Sequence, residues 1–352
     1  MRPVIGKQEL SAIESVLKSK FLTEGEVTRK FENNFARYVN SRYAIATTSA
    51  TTALHTALES LDVRKKKVLV SDFTFPASAL VISLAGGIPV LVDVEKETMN
   101  VSRDIIEKAM DDKTEFVLPV CLFGNSLERE FYSIRKKGVK IIEDAATNLG
   151  TKIGNDPVGS LADITCFSFH PRKIITTGEG GMITTNSKEL DEKCRTFKMF
   201  GKIGDEFVKQ GTNYKLSDIL SAIGIEQLKK IEKIIKKRKE MAKIYIELLS
   251  KLDFVEIQKQ TYDSSHTYQS FVCYFTKEKI RDKIRKKLAD ENIESQIGTY
   301  ALHCLPAFRK CLRKGTLENS EFLYKNSISL PLHEEITQED QNLICKVIKN
   351  TI

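Results

Sequence analysis

The chain contains the stretch Asp163-Ile-Thr-Cys-Phe-Ser-Phe-His-Pro-Arg-Lys-Ile-Ile-Thr-Thr-Gly-Glu-Gly-Gly-Met-Ile-Thr-Thr185. Its two apolar, β-branched runs predict two strands joined by a tight polar loop. Lys173 lies in this loop, five residues after Ser168 and before the glycines Gly178, Gly180 and Gly181. Lysine forms Schiff bases with carbonyl compounds, and glycine lets the backbone approach a ligand closely. A surface lysine in a glycine-containing hairpin is the alternative, and the stretch alone leaves both open.

Short β-like runs alternate with helical patterns on the N-terminal side of this stretch. They are Tyr43–Thr47, Lys67–Val70, Ile88–Asp93, Glu115–Val120 and Val139–Asp144. Together with Ile164–Phe169 and Gly181–Thr185, they predict an α/β domain with a mostly parallel, seven-stranded sheet covered by helices on both faces. Ligands of such sheets bind beyond the carboxyl ends of the strands.

The C-terminal third predicts a smaller α+β unit. A long helical pattern over residues 218–250 leads into it. Its predicted elements are a strand within Thr267–Thr276, a helix over Lys279–Glu291, a strand over Ser327–Leu332 and a helix over Gln338–Lys349. We therefore predict a large domain over residues 1–238 and a small domain over residues 239–352.

The composition narrows the possible partners and the compartment. The net charge is +8, and the densest basic run, Lys229–Lys243, has apolar residues at helical spacing, so its lysines are the solvated face of a helix. No nucleic-acid-binding motif accompanies it. The seven cysteines form no C-x-x-C pair, which predicts free thiols in the cytoplasm. The adjacent His303 and Cys304 lack further ligands at metal-binding spacing, and no apolar run reaches membrane-spanning length.

Two of the predicted strand ends carry groups that could hold a phosphorylated ring. Ser49-Ala50-Thr51 lies where a strand passes into a helix, and hydroxyls and free N–H groups at a helix start bind phosphate. The alternative for this segment is a simple helix N-cap. Phe75 follows another strand end, where its ring could lie on a flat cofactor, although ordinary core packing is the alternative.

Asp144 completes the set at the end of the strand Val139–Asp144. A carboxylate there is costly unless paired, and it could hold a protonated pyridine nitrogen, with a helix N-cap as the alternative. Lys173 follows 29 residues later, one strand–helix–strand step along the chain. Phosphate cup, stacking ring, acid and lysine together predict a pyridoxal phosphate site with Asp144 and Lys173 as catalytic residues.

The chain resembles the nucleotide-sugar aminotransferases of the DegT–DnrJ group, which are fold-type-I pyridoxal phosphate enzymes. The likeness runs nearly end to end. The most specific match is Ser168–Lys173 followed by Thr177–Gly181. The other matching segments are Arg2–Gly6, Leu22–Gly25, Ser49–Leu54, Thr74–Ser78, Gly86–Val90, Glu143–Ala146, Asn213–Asp218, His303–Phe308 and Leu330–His333.

The resemblance implies a role for each matching side chain around the cofactor. Lys173 would form the internal aldimine and move the proton. Asp144 would pair with the ring nitrogen, and Phe75 would stack on the ring. The phosphate would be bound by the group Ser49, Ala50, Thr51 and Ser168. Asn213 or Lys215 would reach the phosphate of a second subunit, which implies a homodimer with shared active sites. Thr23 and His303 would border the sugar nucleotide.

Three positions depart from the pattern of the family. Ala50 stands where the family commonly has glycine, and Cys121 where it often has histidine. Thr147 replaces a glutamine or histidine that lies near the ring oxygen of the cofactor, and its side chain is too short to reach as far. Thr147 remains in the predicted cofactor set, and no departure removes a reacting group.

The resemblance implies transamination from glutamate to a keto group of a nucleotide-linked sugar, with pyridoxamine phosphate as intermediate, in polysaccharide biosynthesis. One alternative is a sugar dehydratase of the same family, but those relatives have histidine in place of Lys173. The other is a non-catalytic sensor that keeps the cofactor fold, although a chain of 352 residues leaves no room for a signalling module beside the enzyme.

Overall fold

The computed structural model describes residues 3–277 and 279–351, so Arg2 of the N-terminal segment lies outside the described residues. Over these ranges the chain forms ten α-helices: α1 Lys7–Ser19, α2 Glu26–Tyr38, α3 Ala50–Ser60, α4 Ala77–Leu84, α5 Arg103–Ala109, α6 Lys188–Lys198, α7 Asp218–Leu249, α8 Ile280–Asp290, α9 Glu318–Asn326 and α10 Gln338–Lys349. In addition, 3₁₀ helices span Arg129–Lys137, Leu302–Cys304 and Pro306–Phe308.

The same ranges contain eighteen strands: β1 Tyr43–Thr47, β2 Lys67–Ser71, β3 Phe73–Thr74, β4 Ile88–Val92, β5 Phe116–Leu118, β6 Lys140–Asp144, β7 Lys152–Ile153, β8 Asp156–Pro157, β9 Ile164–Ser168, β10 Gly181–Thr185, β11 Lys202–Ile203, β12 Glu206–Phe207, β13 Val255–Ile257, β14 Phe271–Phe275, β15 Gln296–Ile297, β16 Tyr300–Ala301, β17 Leu312–Lys314 and β18 Ser327–Leu330.

The main sheet has the strand order β1-β10-β9-β6-β5-β2-β4-β17. β10 runs antiparallel to both of its neighbours, and the other pairs are parallel. The predicted α/β class and mostly parallel sheet are confirmed. The sheet has eight strands rather than seven, because β17 joins its edge beside β4. β17 is only Leu-Arg-Lys and lacks the apolar run by which the other strands were recognised.

Helices cover both faces of the sheet. Successive residues of β9 point to opposite sides, so Cys166 packs with the core around α3 and α4, whereas Phe167 packs with the core around α2 and α7. On the second side, Phe35 lies 5.1 Å from the ring of Phe167. α7 approaches α2 closely at Gly224, where a Cβ would lie 2.5 Å from the Phe31 ring. A strand buried on both faces is mostly apolar, and in β9 the buried hydroxyl of Thr165 is satisfied by donating to Glu143 at 3.0 Å.

The C-terminal unit contains an antiparallel sheet with the order β13-β14-β18-β15. Its core joins this sheet to α8, α10 and the part of α7 from Met241 onward. The predicted helix at Gln338–Lys349 is confirmed to the residue. The domain boundary after residue 238 stays a prediction. In the described part of the chain, no helix is long and apolar enough to cross a membrane.

Candidate active site

A cavity of about 830 Å³ lies beyond the carboxyl ends of the parallel strands. One wall comes from the large domain and includes Ser49, Phe75, Asp144 and Lys173. The opposite wall comes from the C-terminal part of the chain, at residues 292–299, 329–333, 335 and 336. The sheet topology thus brings the predicted strand-end groups to one cavity, as expected for this fold class.

Lys173 lies in the loop between β9 and β10 and is half-buried in the cavity wall. Its ammonium group makes no hydrogen bond with any of the described residues. Burial lowers the pKa of Lys173 to about 8, with Arg172 acting in the same direction and the negative charge of Asp144 opposing both. A lysine with this pKa has a much larger neutral fraction at neutral pH than an ordinary lysine. Because Lys173 lines the cavity, it is not a plain surface lysine, although its catalytic role stays a prediction.

Asp144 ends β6 and is 5% exposed. Its Oδ2 accepts a hydrogen bond from Ser78 Oγ at 2.7 Å, and its Oδ1 accepts one from the backbone N–H of Ala146 at 3.1 Å. Burial raises the pKa of Asp144, while these two hydrogen bonds and the charge of Lys173 lower it. A turn rather than a helix follows, so the helix N-cap alternative is wrong. The carboxylate is well placed to receive a cationic N–H group.

Ser49, Ala50 and Thr51 lie at the start of α3. Ser49 is a helix N-cap: its Oγ accepts from the backbone N–H of Thr52 at 3.1 Å, and Thr52 Oγ1 accepts from the Ser49 N–H at 2.9 Å. The N–H groups of Ala50 and Thr51 make no hydrogen bond among the described residues, and both residues line the cavity. Capping and anion binding are therefore compatible here, because the cap leaves donors at the positive end of the helix.

Gly181 allows β10 to approach the start of α3. A Cβ at this position would lie 2.3 Å from the carbonyl oxygen of Ser49 and 2.8 Å from the nitrogen of Ala50. Gly181 is also the register partner of Ser168, the last residue of β9. Ser168 is 8% exposed and lines the cavity, and its Oγ accepts a hydrogen bond from the His170 N–H at 3.3 Å. Hydroxyls and N–H groups from two elements thus form one cradle.

Phe75 and Thr147 also line the cavity. The Phe75 side chain is 58% exposed, so the alternative of ordinary core packing is wrong. Its only ring neighbour among the described residues is Tyr300, at 6.4 Å between centroids. Thr147 Oγ1 donates to the carbonyl of Cys121 at 2.6 Å. That hydroxyl proton is therefore already used within the protein.

Four other predicted site residues do not line this cavity in the single chain: Thr23, His303, Asn213 and Lys215. Thr23 and Asn213 are exposed. Lys215 Nζ donates to Asn213 Oδ1 at 2.6 Å and lies 4.4 Å from the centre of the Phe200 ring. Their predicted roles at the site stay predictions.

His303 is held by a buried acid away from the cavity. Its Nδ1 lies 2.6 Å from Asp72 Oδ2, and its backbone N–H donates to Asp72 Oδ1 at 2.9 Å. Asp72 is completely buried at the end of β2, and burial raises its pKa while His303 opposes the rise. In this chain the contacts of His303 join the β16 region to the main sheet.

Several cavity residues were not singled out from the sequence. Ser78 lies inside the matching segment Thr74–Ser78, and His170 lies inside Ser168–Lys173, so both could have been found there. Gln269 and residues 292–299 carry no motif, and only the tertiary structure brings them to the cavity. Within the described residues, no group of three His, Cys, Asp or Glu side chains could hold a metal.

The fold and site define a pyridoxal phosphate-dependent aminotransferase. The structure of an aminotransferase from Psychrobacter cryohalolentis superposes with a TM-score of 0.93 at 27% identity, over 99% of this chain and 98% of that chain. A sequence model of the DegT/DnrJ/EryC1/StrS aminotransferase family matches residues 3–349. This chain belongs to that family, which depends on pyridoxal 5′-phosphate. The predicted family, enzyme class and cofactor are confirmed.

Two curated relatives have named activities. GDP-perosamine synthase of Escherichia coli O157:H7 is 32% identical, over 99% of this chain and 96% of that protein. UDP-4-amino-4,6-dideoxy-N-acetyl-beta-L-altrosamine transaminase of Campylobacter jejuni is 29% identical, over 99% of this chain and 94% of that protein. Both names contain a nucleotide-linked amino sugar.

Proposed function

We propose that this enzyme transfers the amino group of glutamate to a keto group of a nucleotide-linked deoxysugar, as a step of polysaccharide biosynthesis. The observation that carries the proposal is the meeting of Lys173 and Asp144 in one cavity with the free N–H groups at the start of α3. The named activities of the relatives support the sugar nucleotide as substrate. A cavity of about 830 Å³ has room for more than the cofactor.

The residues present fit pyridoxal phosphate. Asp144 would hold the ring nitrogen, Phe75 would contact the ring face, and Ser168 with the start of α3 would hold the phosphate. Gly181 lets β10 lie directly against that cradle, since a Cβ there would collide with the backbone of Ser49 at the start of α3. When bound, the cofactor supplies an aldehyde that captures amines and a ring that accepts electrons. Thr147 would contribute shape rather than a donor, because its hydroxyl proton is used by Cys121.

Lys173 and Asp144 divide the chemistry between them. The lowered pKa of Lys173, about 8, favours the neutral amine, which can act as a nucleophile, take the proton from the α-carbon of glutamate and, in the second half-reaction, give a proton to the former keto carbon of the sugar. The negative charge of Asp144 would keep the ring nitrogen protonated. Asp144 ends β6, and Lys173 lies in the loop that follows the neighbouring strand β9, so the sheet holds the two groups near each other before substrate binds.

A direct test measures amino transfer with purified enzyme. Glutamate alone should release one equivalent of 2-oxoglutarate per active site, and turnover should require a keto sugar. A panel of UDP-, dTDP- and GDP-linked keto sugars, analysed by mass spectrometry, should give one product heavier by the amino-for-oxo exchange. Loss of a sugar hydroxyl without net amine gain would indicate the dehydratase, and failure to form 2-oxoglutarate would indicate a sensor.

We further propose a cytoplasmic homodimer with shared active sites. All seven cysteines, each within the described residues, are free, which supports a reducing compartment. Asn213 and Lys215 lie at the surface, outside the cavity of their own chain. Apolar side chains are exposed beside them at Phe200, Ile203, Phe207 and Val208. If a second copy of the chain covered this surface, Lys215 of one subunit would reach the cofactor phosphate bound in the cavity of the other subunit.

Subunit mixing tests the shared site. Lys173→Ala and Lys215→Ala should each be impaired as pure proteins, with Lys173→Ala inactive. Unfolding and refolding an equal mixture should give hybrids with one intact site, and so about one quarter of wild-type activity in a twofold-symmetric dimer. The matched control pairs Lys173→Ala with Asp144→Ala, which lie in the same cavity and should give no recovery. Equal recovery in both mixtures, or none in either, would contradict the shared site.

A further inference from the structure

Gln269 joins the C-terminal unit to the loop that carries Lys173. Its side chain is 4% exposed and lines the cavity. Its Nε2 donates a hydrogen bond to the carbonyl oxygen of Arg172 at 2.6 Å. Arg172 is the residue immediately before Lys173. The bond therefore fixes the peptide from which the lysine side chain departs.

Gln269 is itself held at its other polar groups. Its backbone carbonyl accepts from Arg238 Nη1 at 3.0 Å, and its Oε1 accepts from Ser270 Oγ at 3.1 Å. Arg238, near the middle of α7, also donates to the carbonyl of Leu332 at 3.2 Å. Since Leu332 lies in the opposite wall of the cavity, Arg238 and Gln269 connect that wall to the Lys173 loop. Because Gln269 is buried and hydrogen-bonded through both its backbone and its side chain, it can fix the position of the Lys173 loop rather than merely fill space.

We infer that Gln269 is a positioning residue for Lys173, holding the loop so that the amine stays within reach of the reacting carbon. The inference rests on the role proposed above for Lys173. Without the amide donor, the carbonyl of Arg172 loses its hydrogen-bond partner within the protein and the loop gains freedom. Because a displacement of about 1 Å can cost about 10²-fold in rate, we expect kcat to fall by about 10- to 10²-fold.

The test compares Gln269→Leu with Gln258→Leu in the holoenzyme. Gln258 is a matched control: it is 6% exposed, belongs to the C-terminal part of the chain and donates to the Thr98 carbonyl at 2.7 Å, but it does not line the cavity. Both changes remove one buried amide donor. Only Gln269→Leu should lower kcat and shift the pH midpoint of the visible absorption of lysine-bound cofactor, with KM for glutamate changed less than threefold.

If Gln269→Leu fails to fold, Gln269→Glu provides a second variant. Glutamate has nearly the same shape as glutamine, and its ionised side chain has no donor for the Arg172 carbonyl. Equal kcat and equal absorption midpoints in the Gln269 and Gln258 variants would overturn the positioning role. Borohydride reduction of the wild-type holoenzyme and peptide mapping separates this result from failure of the proposed function. Given such equal values, a label on Lys173 would confirm the proposed role of Lys173 and contradict only the positioning role of Gln269, whereas a label on another residue would contradict both roles.

Discussion

Lys173→Ala should bind cofactor without covalent attachment and lose turnover. The acid–base contribution of such a group alone is about 10²- to 10⁴-fold in rate, and the loss of the nucleophilic amine adds to it. The fold should survive, because the ammonium group makes no hydrogen bond among the described residues and the side chain is only half-buried. The measurement is 2-oxoglutarate release, together with loss of borohydride-stable labelling at this position.

Lys173→Arg is the matched control for charge. Guanidinium keeps the positive charge near Asp144 but stays protonated at all ordinary pH values, so it can neither attack a carbonyl nor accept a proton. Both variants should therefore be inactive with near-normal melting temperatures. Full activity in either variant would remove Lys173 from the mechanism, whatever the effect on stability.

Asp144→Asn should reduce kcat by about 10²- to 10³-fold, the range expected when one preorganised electrostatic group is removed. The amide keeps an oxygen that can accept from Ser78, so the local structure should change little. The negative charge is lost, and with it the stabilisation of a protonated ring nitrogen. The measurement is the rate of the glutamate half-reaction followed by absorbance, with cofactor saturation verified in each sample.

Glu143→Gln is the matched control for burial. Glu143 is the preceding residue of β6 and is completely buried, but its carboxylate meets Tyr132 and Thr165 rather than the cavity. Burial raises the pKa of Glu143, and its hydrogen bonds from Tyr132, Cys121 and Thr165 oppose the rise. This variant should keep the half-reaction rate. If both variants slowed it equally, Asp144 would have no special relation to the cofactor.

The sheet and the cofactor side of the cavity could be predicted because local pattern and topology agree there. Strands such as β9 are buried on both faces, so their apolar runs are visible in the sequence. Polar residues at their ends, such as Asp144 and Ser168, must then fall at one edge of a parallel sheet. β17 could not be found in this way, because three residues at a sheet edge carry no period.

The opposite wall of the cavity depends on long-range contacts that no local pattern records. Gln269 is separated from its partner Arg172 by 97 positions and has neither motif nor periodicity to mark it. For His303 a sequence motif was visible, but the motif does not reveal the contact with Asp72, which lies 231 positions away in the chain. In both cases the side chain type was known and its partner was not.

The contact between Gly181 and Ser49 has a consequence for comparing relatives of this enzyme. With 2.3 Å between a would-be Cβ and the Ser49 carbonyl oxygen, any larger residue at position 181 requires β10 and the start of α3 to move apart. A relative that retains the lysine equivalent to Lys173 but has lost the glycine equivalent to Gly181 is thus expected to have lost activity rather than to have gained a new specificity. Position 181 can therefore serve, independently of the reacting groups, as a second criterion for distinguishing active from inactive homologues in genome sequences.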